Sequence, residues 1–315
     1  MNKVLVTNAS FAKYSKKAQE TLENYGLGIV RPKQPVTNGD ELLGYLDDVV
    51  AIITGLEPIT REVIYSAPKL KVIAKHGIGV DNIDLDAAKE KGIVVVNSPG
   101  TNREAVADLV FGLMLSLARK IHKSDNQVRA GEWPKVFGYS VGGKTIGIIG
   151  LGAIGRSIVQ RAKGFNMKVI AFDKFWSKEY AEANGVVYSD IDGILREADF
   201  ISLHVPLTED TRNLIGADQL AMMKPTAYLI NAARGGVVDE NALYKALVEG
   251  KIAGAGLDVF SSEPPTDSPL LGLENVIVTP HMGGFTDGAL SATSEFVAQA
   301  VIDALEGKAL KSKVV

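Results

Sequence analysis

Residues 145–162 read TIGIIGLGAIGRSIVQRA: an apolar run rich in β-branched residues, three spaced glycines, and then an amphipathic segment. The glycines have G-x-G-x-x-G spacing between a predicted strand and a predicted helix, which is the context that a dinucleotide-binding loop requires. In such a loop the first glycine permits the turn, the second admits a pyrophosphate, and the third lets helix pack on strand. The helix N-terminus also attracts phosphate. We therefore predict a dinucleotide cofactor bound by Gly150, Gly152, Ala153, Ile154 and Gly155.

The next predicted strand ends in an acidic residue, Asp173, eighteen residues after the last glycine of the motif. A carboxylate at this position accepts hydrogen bonds from the ribose hydroxyls and repels a 2′-phosphate. The neighbouring Lys174 weakens that exclusion, but no Arg stands beside Asp173. The sequence therefore predicts NAD as the cofactor in preference to NADP.

Length and composition exclude several classes of protein. A chain of 315 residues favours two domains. A net charge of −3 gives no electrostatic case for binding nucleic acid or an anionic membrane. No apolar run reaches the roughly 20 residues that span a bilayer, and the absence of cysteine excludes disulfides and Cys-ligated metals. We expect a cytoplasmic protein without a metal site.

Short β-branched runs alternate with amphipathic stretches in two series, which is typical of parallel sheets with crossover helices. The sequence therefore predicts an α/β fold. Helical patterns lie near 13–24, at 104–121 and at 287–306. The predicted strands are 3–8, 49–55, 71–77, 93–99, 145–150, 168–173, 199–206, 227–233, 255–260 and 276–280.

The segment 104–121 is apolar on nearly all sides, so we expect a helix buried between domains or in a subunit interface. Residues 122–144, which include GEWPKVFGYSVGGK, are predicted to form a polar, glycine-rich arm.

Three side chains near predicted strand ends match the tasks of reducing a 2-oxo acid. Arg234 follows a strand and precedes two glycines, which favours a tight turn that aims a guanidinium at a carboxylate or carbonyl. His281 follows the last strand, in VIVTPHMGG, and Glu263 lies eighteen residues before it. A Glu bonded to one ring nitrogen fixes the imidazole tautomer and keeps the ring usable as a proton donor.

Other residues leave two interpretations open. Asp258 ends a strand and is either a cofactor-side group or a turn residue, and His204 either lines the nicotinamide or makes a local bond. Lys75 and His76 end a strand of the first series, where they either contact substrate or form a solvated pair. The N–H groups of Ile78 and Gly79, which follow, suit an anion-binding nest.

Taken in order, seven motifs resemble the D-2-hydroxyacid dehydrogenase family, and particularly its phosphoglycerate dehydrogenase-like branch. The resemblance covers nearly the whole chain, and several motifs in one order are more specific than any single one. The motifs are GIGVDNIDLDAA, NSPGTNREAVADLVFGLML, GKTIGIIGLGAIG, LHVPLTEDTRNLI, MKPTAYLINAARGGVVDE, GLDVFSSEPP and TPHMGG.

The resemblance implies two Rossmann-like, doubly wound parallel-sheet domains with the active site in the cleft between them. Residues 99–285 would form the NAD-binding domain, and 1–98 with 286–315 a discontinuous substrate-binding domain. Family members are commonly dimers joined through the cofactor domain, so a homodimer is expected. The family's catalytic Arg, Glu and His fall on Arg234, Glu263 and His281, and its carboxylate-binding loop on Ile78–Gly79. The further predicted cofactor contacts are His204, Pro206, Ala232 and Asp258.

Three departures from the family pattern leave the substrate open. Lys75 replaces an Arg of many phosphoglycerate enzymes, His76 replaces a small residue, and Phe285 takes a position that is often small or polar. We also expect no C-terminal regulatory domain. A 3-phosphoglycerate dehydrogenase and a hydroxypyruvate or glyoxylate reductase both fit.

A binding protein that senses NAD(H), like the corepressors of this fold, is the alternative from another class of function. Glu263 disfavours a formate dehydrogenase, because that branch carries Gln at this position.

Overall fold

The structure, a computed structural model, describes residues 2–34, 36, 38–310 and 312–315. It divides into two compact units, one formed by Met1–Asn102 with Phe285–Val315 and the other by Arg103–Gly284. Each unit contains a parallel sheet covered by helices, which confirms the predicted fold class. The predicted domain limits lie close to the limits of these units, and they stay a prediction.

The strands fall at or near the predicted positions and are mostly shorter than predicted. They are β1 (Lys3–Val6), β2 (Gly28–Val30), β3 (Val49–Thr54), β4 (Val72–Lys75), β5 (Val94–Val96), β6 (Thr145–Ile149), β7 (Lys168–Phe172), β8 (Val186–Tyr188), β9 (Phe200–Leu203), β10 (Tyr228–Asn231), β11 (Gly254–Leu257) and β12 (Val276–Val278). Neither β2 nor β8 was predicted as a strand. Each has only three residues. All three residues of β2 are half-buried and two of the three in β8 are exposed, so neither strand carries a continuous buried run.

The helices connect these strands. They are α1 (Lys17–Asn24), α2 (Arg61–Ser66), α3 (Leu85–Glu90), α4 (Arg103–Arg119), α5 (Ile121–Arg129), α6 (Ala153–Gly164), α7 (Lys178–Asn184), α8 (Ile191–Glu197), α9 (Ala217–Met222), α10 (Glu240–Val248) and α11 (Asp287–Leu305). Side chains of Asp239 and Thr286 accept hydrogen bonds at the N-termini of α10 and α11, which satisfies amide groups that a helix start leaves unpaired.

In the first unit the sheet has the order β2-β1-β3-β4-β5. Helices α1 and α11 cover one face, where Leu22 and Val297 pack on Val4 and Ile53. Helices α2 and α3 cover the other face. Burial on both faces explains why β3 reads as the continuous apolar run VVAIIT rather than an alternating pattern.

In the second unit the sheet has the order β12-β11-β10-β9-β6-β7-β8. Helices α4 and α6 pack on one face and α8, α9 and α10 on the other. Because all these strands run parallel, their carboxyl ends and the loops that follow them share one edge of the sheet. The loops after β6, β7, β9, β10, β11 and β12 carry most of the predicted site residues.

Two expectations for residues 104–144 are corrected. The buried side chains of α4 are covered within their own unit, since Val110, Met114 and Leu117 belong to the same core as Ile148 and Ile230. Residues 122–129 are helical, because α5 begins at Ile121, and only the residues after Arg129 form an irregular arm. Because no side chain of α5 is buried, its sequence is polar and lacks the apolar periodicity of a packed helix, and a loop was predicted there.

Two features are absent from the described residues. None of the helices there has the length and apolar character needed to cross a membrane. In the same part of the chain, no cluster of three or more His, Asp or Glu side chains is arranged to hold a metal ion.

Gly147, in the centre of β6, allows α8 to approach the sheet, since an added Cβ would lie 2.4 Å from Ile194 Cγ2 and 3.0 Å from Ala198 Cβ. Gly147→Ala is expected to lower the free energy of unfolding by about 1–3 kcal/mol through overpacking. The measurement is urea denaturation. Gly164→Ala is the matched control, because an added Cβ on that helical residue meets no described atom within 4 Å. Equal stability of the two variants would contradict this account.

Candidate active site

The glycine loop after β6 has the backbone that a dinucleotide requires. Gly150 has φ +102°, and an added Cβ there would lie 2.4 Å from the carbonyl oxygen of His204. At Gly155 an added Cβ would lie 2.3 Å from Gly150 O, where α6 meets the loop. Gly152 instead faces open space, with no described atom within 4 Å of an added Cβ. Two glycines are therefore required by packing, and the third leaves room for a pyrophosphate.

Asp173 stands beside this loop, directly after β7. Its Oδ2 accepts a hydrogen bond from Leu151 N at 2.6 Å, and its Oδ1 accepts one from Phe175 N at 2.7 Å. These bonds hold the carboxylate next to the glycines, where it suits a ribose. Lys174 Nζ lies 3.5 Å from Asp210 Oδ2, and both side chains are exposed. The residues present thus fit NAD.

His204, at the end of β9, is a neutral imidazole at this edge. Burial lowers the pKa of His204 to about 3. Its Nε2 lies 2.7 Å from Ser202 Oγ, whereas its buried Nδ1 has no hydrogen-bond partner among the described residues. The bond to Ser202 supports the interpretation of His204 as a residue with a local hydrogen bond. The unpartnered Nδ1 is compatible with the other interpretation, in which His204 lines the nicotinamide. Contacts of His204, Pro206 and Ala232 with cofactor stay predictions.

The turn that carries Arg234 is fixed by its neighbours. Asn231 closes it from both sides, because Oδ1 accepts from Ala233 N at 3.1 Å and Nδ2 donates to Arg234 O at 2.9 Å. Gly235 lies so close to the next loop that an added Cβ would be 2.0 Å from the carbonyl carbon of Phe260. Arg234 Nη1 donates to Ala233 O at 2.7 Å. This turn is therefore pressed against the loop that carries Glu263.

Glu263 joins that loop to His281. Its Oε1 accepts from Phe260 N at 3.1 Å, and its Oε2 lies 2.8 Å from Nδ1 of His281. Because an ionised carboxylate can only accept, the hydrogen resides on Nδ1 and the imidazole's Nε2 is left for other chemistry. Both side chains are about one-third exposed. The structure thus brings Arg234, Glu263 and His281 onto loops that follow three adjacent strands.

Asp258 braces the turn that carries His281. This buried carboxylate accepts from Thr279 Oγ1 at 2.6 Å and from the N–H groups of Met282 and Gly283, each at 2.8 Å. His281 N donates to Asp258 O at 2.9 Å. His281 itself has φ +50°. These bonds support the interpretation of Asp258 as a turn residue, and its predicted contact with cofactor stays untested.

Sequence reasoning missed two residues that shape the site, Asn231 and Thr279. Each is the last polar residue of an apolar strand segment, Asn231 in YLIN and Thr279 in VIVT. A polar side chain at such a buried strand end needs a partner, and that requirement was the available signal. Asn231 bonds within its own turn, whereas Thr279 bonds to Asp258 in another loop, which the local sequence does not specify.

In the first unit, the predicted substrate contacts fall on the end of β4 and the segment that follows it. Lys75 is buried, and its Nζ donates to Gly55 O and, at 2.6 Å, to Asn82 Oδ1. His76 is buried as well, with its Nε2 at 2.9 Å from Ser294 Oγ. Both side chains therefore have internal partners, and neither forms the solvated pair considered from the sequence. Whether they touch substrate stays a prediction.

The backbone of Ile78 and Gly79 is half-buried in the same segment. Ile78 O accepts from Asn97 Nδ2 at 2.8 Å, which holds the loop from one side. Within the described chain neither residue donates its N–H to a protein acceptor. Two adjacent N–H groups of this kind suit a carboxylate.

Comparisons with known proteins identify the family. Residues 111–283 match the family model described as D-isomer specific 2-hydroxyacid dehydrogenase, NAD binding domain. The chain is 48% identical over 279 residues to a D-3-phosphoglycerate dehydrogenase of Methanocaldococcus jannaschii, covering 87% of this chain and 53% of that protein. It is 46% identical over 272 residues to a glyoxylate reductase of Thermococcus litoralis, covering 84% and 82%. A D-lactate dehydrogenase of Aquifex aeolicus, solved with NAD and lactic acid, matches with a TM-score of 0.83 and 31% identity over 97% and 96% of the two chains.

The chain therefore belongs to the D-2-hydroxyacid dehydrogenases, a family of NAD-dependent oxidoreductases. It spans about half the length of the phosphoglycerate dehydrogenase and most of the glyoxylate reductase. The family and the cofactor predicted from the motifs are thereby confirmed. The roles of individual residues remain predictions.

Asp258→Asn should loosen the turn that carries His281, because its amide nitrogen replaces one carboxylate oxygen and would face the N–H of either Met282 or Gly283. We expect a loss of about 1–3 kcal/mol in the free energy of unfolding, the usual cost of leaving a buried polar group unpaired. Denaturation gives the stability, and Asp267→Asn, in the loop after β11, is the control. An unchanged free energy of unfolding in Asp258→Asn would contradict the role of Asp258 in holding this turn.

Proposed function

We propose that this protein interconverts a small 2-oxo acid and the D-2-hydroxy acid, with Arg234, Glu263 and His281 as its catalytic residues. The observation that carries the proposal is the bond of 2.8 Å between His281 Nδ1 and Glu263 Oε2 on the sheet edge where Arg234 also lies. No other pairing of His with a carboxylate at a strand end is found among the described residues.

His281 is assigned the proton transfer. With Nδ1–H donated to Glu263, Nε2 accepts a proton from solvent and passes it to the carbonyl oxygen during reduction. In the reverse direction Nε2 takes the hydroxyl proton. Glu263 stabilises the imidazolium that carries this proton and fixes the plane of the ring, as a carboxylate partner does for a general acid–base histidine.

Arg234 is assigned to the substrate's carboxylate and carbonyl oxygen. Its guanidinium is permanently charged and offers two parallel N–H donors to a carboxylate. In the first unit, the N–H groups of Ile78 and Gly79 are assigned to binding a carboxylate, because two adjacent backbone donors suit an anion. Positive charge beside the carbonyl oxygen favours the transition state, in which that oxygen becomes negative.

Bound NADH supplies the hydride that reduces the carbonyl carbon. Asp173 would accept bonds from the adenosine ribose, and the amide groups at the start of α6 would hold the pyrophosphate. These groups bind and orient the dinucleotide, and proton transfer belongs to His281 alone. Strands β6 and β7 are parallel neighbours, so the loops that carry Gly150 and Asp173 leave the sheet side by side, which supports this assignment.

The surroundings of Lys75 favour a small, unphosphorylated substrate. Its ammonium donates to Gly55 O and Asn82 Oδ1 in a buried position, and a substrate phosphate would have to compete with those bonds. The two relatives named above are a D-3-phosphoglycerate dehydrogenase and a glyoxylate reductase, so relatives alone do not decide. We infer glyoxylate or hydroxypyruvate as the better substrate class. A cytoplasmic location stays a prediction.

Purified protein should oxidise NADH with glyoxylate or hydroxypyruvate at a higher kcat/KM than with 3-phosphohydroxypyruvate or pyruvate, and it should use NADH in preference to NADPH. His281→Ala should lower kcat by about 10²–10⁴-fold, the usual contribution of a general acid. The measurement is NADH absorbance in a panel of these four acids.

Met282→Leu is the control, because it changes the neighbouring side chain and keeps the backbone bond to Asp258. Absence of turnover with all four acids would sink the proposal. Tight NADH binding without turnover, together with a stable protein partner, would favour the NAD(H)-sensing alternative. A preference for NADPH would show that the role of Asp173 is misassigned.

A homodimer joined through the second unit is also proposed. Its support is a set of exposed apolar side chains on α5 and in the arm after it, Ile121, Val128, Trp133 and Phe137, with Trp133 86% and Phe137 75% exposed. Large apolar side chains grouped on a surface commonly mark a protein interface.

Analytical ultracentrifugation at micromolar concentration should give a dimer for the wild type and a monomer for Trp133→Glu/Phe137→Glu, because the charges would be buried in the interface. Val248→Glu, which alters an exposed apolar residue of α10, should remain a dimer. A monomeric wild type would refute the dimer.

A further inference from the structure

His76 lies at the start of the segment assigned to the substrate carboxylate. It follows β4 directly and is 8% exposed, and its N–H donates to Thr54 O at 2.8 Å. The imidazole reaches α11, where Nε2 lies 2.9 Å from Ser294 Oγ. The ring of Phe11 meets it edge-on, with centroids 6.2 Å apart. A strand end is thus tied to a helix that lies more than 200 residues later in the chain.

The partners of Ser294 decide which way this hydrogen bond runs. Ser294 Oγ donates its single hydrogen to Leu290 O at 2.7 Å and accepts from Ala12 N at 3.2 Å. The remaining lone pair can only accept, so His76 Nε2 is the donor and the ring is the Nε2–H tautomer. Burial lowers the pKa of His76 to about 4, which keeps the ring in this neutral form at pH 7. The hydroxyl is then fully satisfied.

The residues after His76 are held from the other side. Ser98 Oγ donates to Gly77 O at 2.8 Å and accepts from Gly77 N at 3.0 Å, and Asn97 Nδ2 donates to Ile78 O. Gly77 has φ +156°, at the limit of the region that favours glycine. His76 therefore fixes the start of the segment 76–79. Ser98 holds Gly77 and Asn97 holds the carbonyl of Ile78, and the N–H groups of Ile78 and Gly79 lie toward the end of the segment.

We propose that His76 is a positioning residue for substrate binding: its bond to Ser294 sets where the N–H groups of Ile78 and Gly79 receive the carboxylate. The side chain acts through the backbone and does not touch substrate. This assignment rests on the proposed function in one respect, namely that the substrate carboxylate binds to the N–H groups of Ile78 and Gly79. It also gives a role to His76, which stands where the resembled family has a small residue.

The test removes either end of the bond. His76→Leu keeps an apolar side chain of moderate volume and loses the donor, and Ser294→Ala loses the acceptor. Each should raise the KM for glyoxylate about tenfold, on the order of one lost hydrogen bond. Because the carboxylate is held equally in substrate and transition state, kcat should change less than twofold. The Kd for NADH, from protein fluorescence, should also be unchanged.

Two further variants separate positioning from packing. His76→Gln restores an N–H donor near the position of Nε2 and should bring KM within about threefold of wild type. His76→Leu/Ser294→Ala should be no worse than either single variant, because both remove the same bond. Thr60→Ala removes the cap of α2, in the same unit, and should lower Tm without changing KM.

The inference is distinguishable from the proposed function by a binding assay. Oxamate, which resembles a 2-oxo acid and is not reduced, is titrated into the protein–NADH complex, and its Kd should rise about tenfold in His76→Leu and in Ser294→Ala. A Kd and KM within twofold of wild type in both folded variants would overturn the role of His76, as would multiplying effects in the double variant. Oxamate binding that depends on His76, without turnover of any 2-oxo acid, would refute the proposed function alone.

Discussion

The buried carboxylate of Asp258 is the contact on which the candidate active site depends. It accepts hydrogen bonds from Thr279, Met282 and Gly283, so that the loop after β12 is bound to the end of β11. A loop on the surface of an α/β sheet has no ladder of its own and needs such contacts to hold one conformation. Because Asp258 satisfies three donors of this turn, His281 is presented by a rigid element rather than by a flexible loop.

The parallel sheet supplies the second constraint. Strands β10, β11 and β12 are neighbours with the same direction, and their loops therefore emerge side by side even though the residues lie far apart in the chain. Gly235 allows the first of these loops to press against the backbone of Phe260, and Glu263 then bridges from Phe260 to His281. Backbone packing alone thus brings the guanidinium of Arg234, the carboxylate of Glu263 and the imidazole of His281 to the same edge of the sheet.

Much of the fold could be predicted because buried parallel strands leave a strong signal. The runs VVAIIT and TIGIIG are apolar throughout, and the glycine spacing marks where the second run turns into a helix. The short strands β2 and β8 and the fully surface-lying helix α5 leave no such signal, because few or none of their side chains are buried. Some predicted strands extended past their true ends. His76 is buried and His204 half-buried, and each still donates its N–H to the neighbouring strand although neither belongs to a strand.

The residues of the candidate site divide in the same way. Arg234, Glu263 and His281 are marked by unusual side chains beside glycine or proline, which the sequence displays directly. Asp258 and Thr279 act through partners in other loops, which tertiary packing sets and no local pattern encodes, whereas Asn231 bonds within its own turn. The sequence thus indicates the reactive groups more readily than the groups that hold them.

The left-handed backbone of His281 has one more consequence. At φ +50° a residue with a Cβ is less stable than glycine by about 1 kcal/mol, and Asn tolerates the region better than most side chains. A screen that selected this chain for thermal stability alone would therefore tend to replace His281 and discard its imidazole. Backbone conformation and the proposed chemistry oppose each other at this position, and the proposed role of His281 accounts for a His where Gly or Asn fits the backbone more easily.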